Sequence, residues 1–227
     1  MDLPVAVEEL LGRQLNDIEK RFAPRMLYVR GDRELLRTSI HISLVGSREV
    51  SPEGRRRARR LAKLLAEKGI TVVSGLAAGV DTEAHRTAID HHGRTVAILG
   101  TGPDRVYPPE NEALQELIAA EHLLVSQFPP GTSPLRGNFP QRNRTMALVS
   151  NATVIVEAGE GSGTQSQGWE ALRLGRALFL LKSFLENGEI SWATKMLDYG
   201  AQVLREPEDV LEELPSPDTE PTAALAL

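Results

Sequence analysis

The stretch Phe139-Pro140-Gln141-Arg142-Asn143-Arg144 leads into the apolar run Val154-Ile155-Val156 and then into Gly159-Glu160-Gly161-Ser162-Gly163-Thr164. A short β-branched run closing on a glycine-rich turn, with helical patterns on both sides, reads as a buried parallel strand feeding a helix. Backbone N–H groups in such a turn, together with the start of the helix behind it, favour an anion. Two arginines ahead of the strand point to the same kind of ligand, a phosphate.

The same alternation runs outward from this segment. Strands are expected at 40–45, 70–73, 95–99, 123–126, 153–156 and 177–181, with helices near 52–68, 79–92, 110–121, 141–150 and 165–175. Right-handed crossovers then give an α/β fold, a doubly wound and mostly parallel sheet of the extended Rossmann-like kind, in a single domain. A length of 227 residues suits one such core. We expect a helical appendage at 1–24 containing one amphipathic helix over 5–22, a Rossmann-like body at 25–213, and a disordered acidic tail at 214–227. No internal repeat is evident.

Composition removes several functions. Without cysteine there is neither a disulfide framework nor a thiolate metal site. The histidines at 41, 85, 91, 92 and 122 lack metal-ligand spacing, so no metal and no cofactor are expected. With no basic-then-apolar leader and no apolar run of membrane-spanning length, a cytoplasmic protein with no membrane partner is expected. The net charge of −5 is unevenly spread. Seven carboxylates and no Lys or Arg follow Arg205, so residues 1–205 sum to −5 + 7 = +2, a mildly basic body.

The helix expected at 52–68 begins with Ser51 as N-cap and Pro52 at the first helical position. Ala58, Leu61, Ala62 and Leu65 should face the sheet. Arg55, Arg56, Arg57, Arg59, Arg60, Lys63 and Lys68 cover the rest. Two readings of that cationic face stand, a solvated surface and the wall of a nucleic-acid groove.

Ligands of doubly wound sheets bind beyond the carboxyl ends of the strands. The residues there are Gly46-Ser47-Arg48, the run from Ser74 and Gly75 to Gly79, Val80 and Asp81, then Gly100-Thr101-Gly102, and the turn holding Gly161, Ser162, Gly163 and Thr164. Four glycine-bearing turns are expected to open on one crevice. Arg48 follows a turn at a strand end, where its planar fork can pair two phosphate oxygens. Arg142 and Arg144 bracket Asn143 and cannot share a helix face, so one is assigned to phosphate and the other to a carboxylate such as Glu157. Phe139 offers either a stacking face for a base or a packing surface. Asp81 is expected to cap its helix with His85 packed on it. Neither GxGxxG nor GxxxxGK[ST] occurs, which removes the standard dinucleotide fingerprint and the P-loop.

These loops in this order resemble the DNA-processing protein DprA (Smf) family. The resemblance covers residues 25–185 and rests on Val45-Gly46-Ser47-Arg48, Ser74 through Asp81, Gly100-Thr101-Gly102 with Val106-Tyr107-Pro108-Pro109-Glu110-Asn111, Phe128-Pro129-Pro130-Gly131, Phe139 through Arg144, and Val156-Glu157-Ala158. It implies a non-enzymatic domain that binds single-stranded DNA in a basic pocket at the strand ends, commonly as a homodimer. It also implies a role in DNA uptake, natural transformation and recombination, with hand-over of the strand to the recombinase RecA. Two departures stand out. Thr164-Gln165-Ser166-Gln167 replaces an apolar pair followed by Thr-Ala, and Leu181-Lys182-Ser183 stands where the family has Val-Pro-Gly.

The segment is also similar to the LOG-type nucleoside-monophosphate phosphoribohydrolases, whose pattern is Arg-Lys-x-x-Met followed by Gly-Gly-x-Gly-Thr-x-x-Glu. Arg142-Asn143-Arg144-Thr145-Met146 answers the first half; Gln167 falls where the second needs its glutamate. An amide cannot act as a base or carry the charge that stabilises an oxocarbenium ion. Glu170, nearly a turn further on, is the remaining candidate for that role. The alternative reading is therefore a nucleotide-ligand protein or a weak phosphoribohydrolase.

Overall fold

The computed structural model describes residues 4–185, 190–212 and 214. Its elements run β1 (Val5–Ala6), α1 (Val7–Leu11), α2 (Asp17–Phe22), β2 (Met26–Gly31), β3 (His41–Gly46), α3 (Pro52–Glu67), β4 (Thr71–Ser74), α4 (Val80–Asp90) and β5 (Thr95–Leu99). They continue as α5 (Glu112–Glu121), β6 (Leu123–Ser126), α6 (Asn138–Val149), β7 (Ala152–Glu157), α7 (Thr164–Arg173), β8 (Ala177–Leu181), α8 (Lys182–Leu185), α9 (Ser191–Asp198), β9 (Gln202–Leu204) and α10 (Asp209–Glu212).

Side chains alternate across a strand, so each buried strand feeds two cores. In β3, Ile42 and Leu44 join one core and Val45 the other; in β4, Val72 and Val73 divide the same way. Helices α3, α4 and α5 cover the first face, and α6, α7 and α9 the second. Ser51 caps α3 by accepting from the Gly54 amide at 2.9 Å, and Pro52 opens the helix, as expected. Ala58, Leu61, Ala62 and Leu65 are all buried against the sheet. Each of the two leucines contributes about 2 kcal/mol by leaving water.

The sheet order among the described residues is β1-β2-β6-β5-β4-β3-β7-β8-β9. From β6 to β9 every pairing is parallel, whereas β1 and β2 add an antiparallel edge. The chain builds outward from β3 to β6 and then returns through α6 to lay β7 on the other side of β3. The strand order therefore reverses between β3 and β7, and the diverging connections leave a cleft at their carboxyl ends.

The six strands read from the sequence are all present, with ends moved by at most one residue. Three further strands were not anticipated. β2 carried a signal in its alternation, since Leu27 and Val29 are buried while Tyr28 and Arg30 are partly exposed. β1 and β9 have only two and three residues, too few for periodicity to register.

The single helix expected over 5–22 is corrected. Gly12, with φ of 65°, ends α1, and Asn16 starts α2 through a reciprocal capping box with Glu19. Val5, Val7, Leu10, Leu11 and Leu15 lie in the same core as Val29, Val73 and Val125. The tail expected at 214–227 lies outside the described residues except for residue 214, and the preceding acidic stretch includes α10, with Val210 buried.

Candidate functional site

A crevice of about 410 Å³ lies at the carboxyl ends of β3 and β7, the point where the strand order reverses. Three loops and the start of α6 build it. The first loop follows β3: the Ser47 amide donates to the Glu157 carbonyl at 2.8 Å, and the Ser47 carbonyl accepts from Val80 N–H at 3.1 Å. Gly79, at φ 78°, lets the second loop pass so closely that a Cβ there would come within 2.2 Å of the Ser47 carbonyl oxygen. Locked in this way, the turn places Arg48 at the crevice mouth. Its guanidinium carbon sits 5.0 Å from the centroid of the Phe139 ring, within cation–π range. Among the described residues Arg48 has no carboxylate partner.

Arg142 forms part of the inner wall. It is 6% exposed, and its guanidinium occupies the space that any side chain at Gly75 would need, since a Cβ there would lie 1.0 Å from Nη1. Nη1 stands 3.8 Å from Asp81 Oδ2 and donates to the Ile98 carbonyl at 3.5 Å, while Nε has no partner. Burial pushes the Asp81 carboxyl up, opposed chiefly by Arg142; burial likewise pulls the Arg142 guanidinium down, opposed by Asp81. Asp81 Oδ2 also accepts from the amides of Gly75 and Ala77 at 3.1 and 3.2 Å. Asp81 thus organises the loop between β4 and α4 and does not cap α4, whose N-cap is Gly79. His85 does not pack on Asp81 through a hydrogen bond either; its Nδ1 meets Thr95 Oγ1 at 2.6 Å.

The third loop, after β7, is fixed by Asn143, whose Nδ2 donates to Ser166 Oγ at 2.6 Å and to the Gly163 carbonyl at 3.3 Å. The Thr164 amide donates to Ser162 Oγ at 3.2 Å, and the two hydroxyls touch. A Cβ added at Gly161 or Gly163 would meet nothing, so packing does not demand glycine there and the space belongs to the crevice. The start of α7 has no acidic residue in its first turn, so its positive dipole end is not neutralised by a carboxylate there, while the Gln165 and Ser166 amides donate to the Ser162 and Gly163 carbonyls, each at 3.2 Å. Gln167 lies on the floor, fully buried, with Nε2 donating to Thr153 Oγ1 at 3.3 Å and Oε1 unpartnered.

Of the residues read as a site from sequence, Gly46, Ser47, Arg48, Phe139, Arg142, Asn143, Gly161, Ser162, Gly163 and Thr164 line this crevice. The others stand behind it. Ser74 is buried and donates to the Leu44 carbonyl, Gly75 backs Arg142, and Gly79 supports the first loop. The third turn does not open on the crevice: Gly100 lies against the Phe139 ring, Thr101 donates to the Arg105 carbonyl at 3.3 Å, and Gly102 lies against the Pro129 carbonyl.

Arg144 points away, pairing with Glu170 at 3.1 Å and not with Glu157. Glu157 instead accepts from the Ser51 amide at 2.9 Å and from the Ser51 hydroxyl. Val45, Glu49, Ala77, Asp81, Met146, Gly159 and Gln167 also line the crevice and were not assigned to the site from sequence. Met146 sits one helical turn after Arg142, which was the available signal.

The family model for DNA recombination-mediator protein A matches residues 6–215. The chain belongs to this family. Protein Smf of Synechocystis is 39% identical over 173 residues, covering 76% of this chain and 44% of that protein. The structure is similar to DNA processing protein A of Streptococcus pneumoniae, with a TM-score of 0.81 and 30% identity over 94% of this chain and 75% of that one. It is also similar to DNA processing protein A of Helicobacter pylori, studied for its single-stranded DNA binding mode, with a TM-score of 0.75 and 30% identity over 88% and 95% of the two chains. The chain spans 44% to 67% of the length of the curated relatives it matches. Among the described residues no group of three or more His, Asp or Glu could hold a metal ion, and no helix is long and apolar enough to cross a membrane.

Proposed function

We propose that this member of the recombination-mediator family binds single-stranded DNA through the crevice between β3 and β7, without catalytic turnover. The observation that carries the reading is Arg48. An arginine with no carboxylate partner among the described residues, held against Phe139 at the mouth of the crevice that the start of α7 also lines, suits a phosphodiester with an adjacent base. The family, a recombination mediator, and the relatives, DNA processing proteins, support a role in DNA processing and recombination, which we extend to DNA uptake and natural transformation. With that role come a cytoplasmic setting, a homodimer and transfer of the strand to RecA.

Labelled oligo(dT) is expected to bind with submicromolar affinity that weakens steeply with salt. Arg48→Ala should weaken binding and flatten the slope of log K against log salt by about 0.7, the share of one single-strand phosphate contact. Unchanged affinity and slope in that variant would remove the assignment.

Hydrolysis of a mononucleotide fits the site poorly. Gln167 supplies no charge, and Glu170 is turned away, held by Arg144 and Arg173. The crevice volume is enough for a mononucleotide, so the second reading concerns binding. AMP incubated with the protein should release no adenine above buffer background; steady release would restore the enzyme reading.

A further inference from the structure

A second crevice, of about 400 Å³, lies along the same edge of the sheet, where β8 and β9 end beneath α3. Its lining carries five cations, Arg56, Arg57 and Arg60 from α3 with Lys182 and Arg205 from the strand ends, against the two carboxylates of Glu53 and Glu206. Two features of the sequence that the first crevice leaves unused meet here. One is the arginine-rich face of α3; the other is Lys182, in the segment that departs from the Val-Pro-Gly of the resembled family.

The existing pairs in this crevice are of a kind that phosphate can replace. Arg60 reaches Glu206 at 3.0 Å and Glu208 at 3.7 Å, with all three side chains more than 60% exposed. Arg57 reaches Glu53 at 3.4 Å. Exposed pairs such as those of Arg60 add little to stability, so a phosphate can take the place of the carboxylate at small cost. The opposite half of α3 shows the contrast: Arg55 and Arg59 both grip the largely buried Glu83, at 2.9 and 2.7 Å, and are committed to the fold.

The two crevices are neighbours along the chain as well. Glu49 lines the first and Glu53 the second, so the backbone between them spans at most about 14 Å. A single strand covers that distance within a few nucleotides.

We propose that the crevice formed by Arg56, Arg57, Arg60, Lys182 and Arg205 is a second phosphate-binding subsite, taking the backbone of a nucleic-acid strand that is also held in the crevice between β3 and β7. The proposal rests on the DNA-binding reading above. It adds a length requirement: a strand long enough to reach both crevices gains contacts that a short one lacks.

The test compares oligo(dT) of about 5 and about 15 nucleotides, lengths within the range of single-strand sites, on the wild-type protein and on an Arg57→Ala, Arg205→Ala variant. Arg205 is exposed and Arg57 half-buried, and circular dichroism and thermal melting check that the variant is folded. For the long strand the variant should lose roughly ten-fold in affinity and about 1.4 in salt slope, two single-strand contacts, with the short strand little affected. Equal losses for both lengths, or no loss for the long one, would overturn the second subsite while leaving the first intact. Absence of binding by the wild type to either strand would overturn both readings.

Inorganic phosphate serves as the competing small anion. If millimolar phosphate removed the whole length advantage, the crevice would be a site for free phosphate and the proposal would fail. Binding of poly-glutamate, lost in the variant while DNA binding persisted, would assign the crevice to an acidic protein and equally overturn it.

Discussion

Arg142 and Arg144 show how little a residue's identity says about its partner. In sequence they are equivalent cations two positions apart. On α6 that spacing turns them to different sides, so that Arg142 enters the interior opposite Asp81 while Arg144 meets Glu170 at the surface. That they take different sides was legible; that each faces a carboxylate, Asp81 and Glu170 and neither of them Glu157, was not, because those partners come near only through tertiary packing.

His85 makes the same point with a measurable consequence. Thr95 Oγ1 donates to the Val72 carbonyl at 2.9 Å, so His85 Nδ1 must be the donor in its own bond to Thr95, and buried Nε2 is left as a lone pair without a partner. Burial, with smaller repulsion from His122 and Arg142, pulls this imidazole from 6.5 down to about 3. The unfolded chain takes up the proton first on acidification. Stability that is full above about pH 6.5 therefore falls as pH drops toward 3, by up to about 1.4 kcal/mol per pH unit from this group. Urea unfolding at pH 7 and pH 5 should show the slope, and His85→Leu should flatten it whatever its effect on absolute stability. An unchanged slope would contradict the assignment.

The start of α3 is the element on which both crevices depend. Ser51 caps the helix and at the same time holds Glu157 at the end of β7, through its amide and its hydroxyl. The cap was legible as Ser-Pro ahead of a helical pattern. Its second bond was not, since nothing in the local sequence indicates that a residue 106 positions away will lie beside it. Ser51→Ala should cost about 1 kcal/mol for the lost cap. It should cost more if the part-buried Glu157 carboxylate, deprived of a donor, is not satisfied by water. Denaturant unfolding of Ser51→Ala and Ser51→Thr, which keeps a hydroxyl, separates the two effects; equal stability of all three proteins would exclude a structural role for the cap. By sequence the arginine face of α3 fits either a solvated surface or a groove wall. The helix divides between them, its Arg55 and Arg59 anchored on Glu83 and its Arg56, Arg57 and Arg60 lining a crevice.

At the scale of the whole molecule, residues before 25 are tied to the rest by Glu19. This carboxylate is 1% exposed, accepts from the Asn16 amide and meets Arg13 at 2.7 Å and Arg176, between α7 and β8, at 2.6 Å. Burial raises its pKa, but the Arg13 hydrogen bond, the Asn16 amide and the two positive charges outweigh that and hold it below the ordinary value. Its contribution is therefore present above the unfolded pKa near 4.5 and is lost as pH falls through the depressed folded value. Glu19→Gln leaves Arg176 largely buried without a counter-charge and should destabilise the molecule by about 3 kcal/mol at neutral pH. A single cooperative transition, shifted as a whole, is expected by circular dichroism. Separate melting of the N-terminal residues, with the main transition unmoved, would show that they are only an appendage.

The sequence by itself determined the alternation of buried strands and helices, the glycine turns at strand ends and the cationic helix, because those depend on local periodicity, backbone sterics and residue charge. It could not determine which turns converge or, among the described residues, which of the crevice's arginines faces a carboxylate. Those depend on the reversal of strand order between β3 and β7, which brings Arg48, Phe139 and the loop after β7 together while drawing Gly100-Thr101-Gly102 out of the crevice. They depend also on long-range pairing, which commits Arg142 to Asp81 and Arg144 to Glu170 and leaves Arg48 available for a ligand.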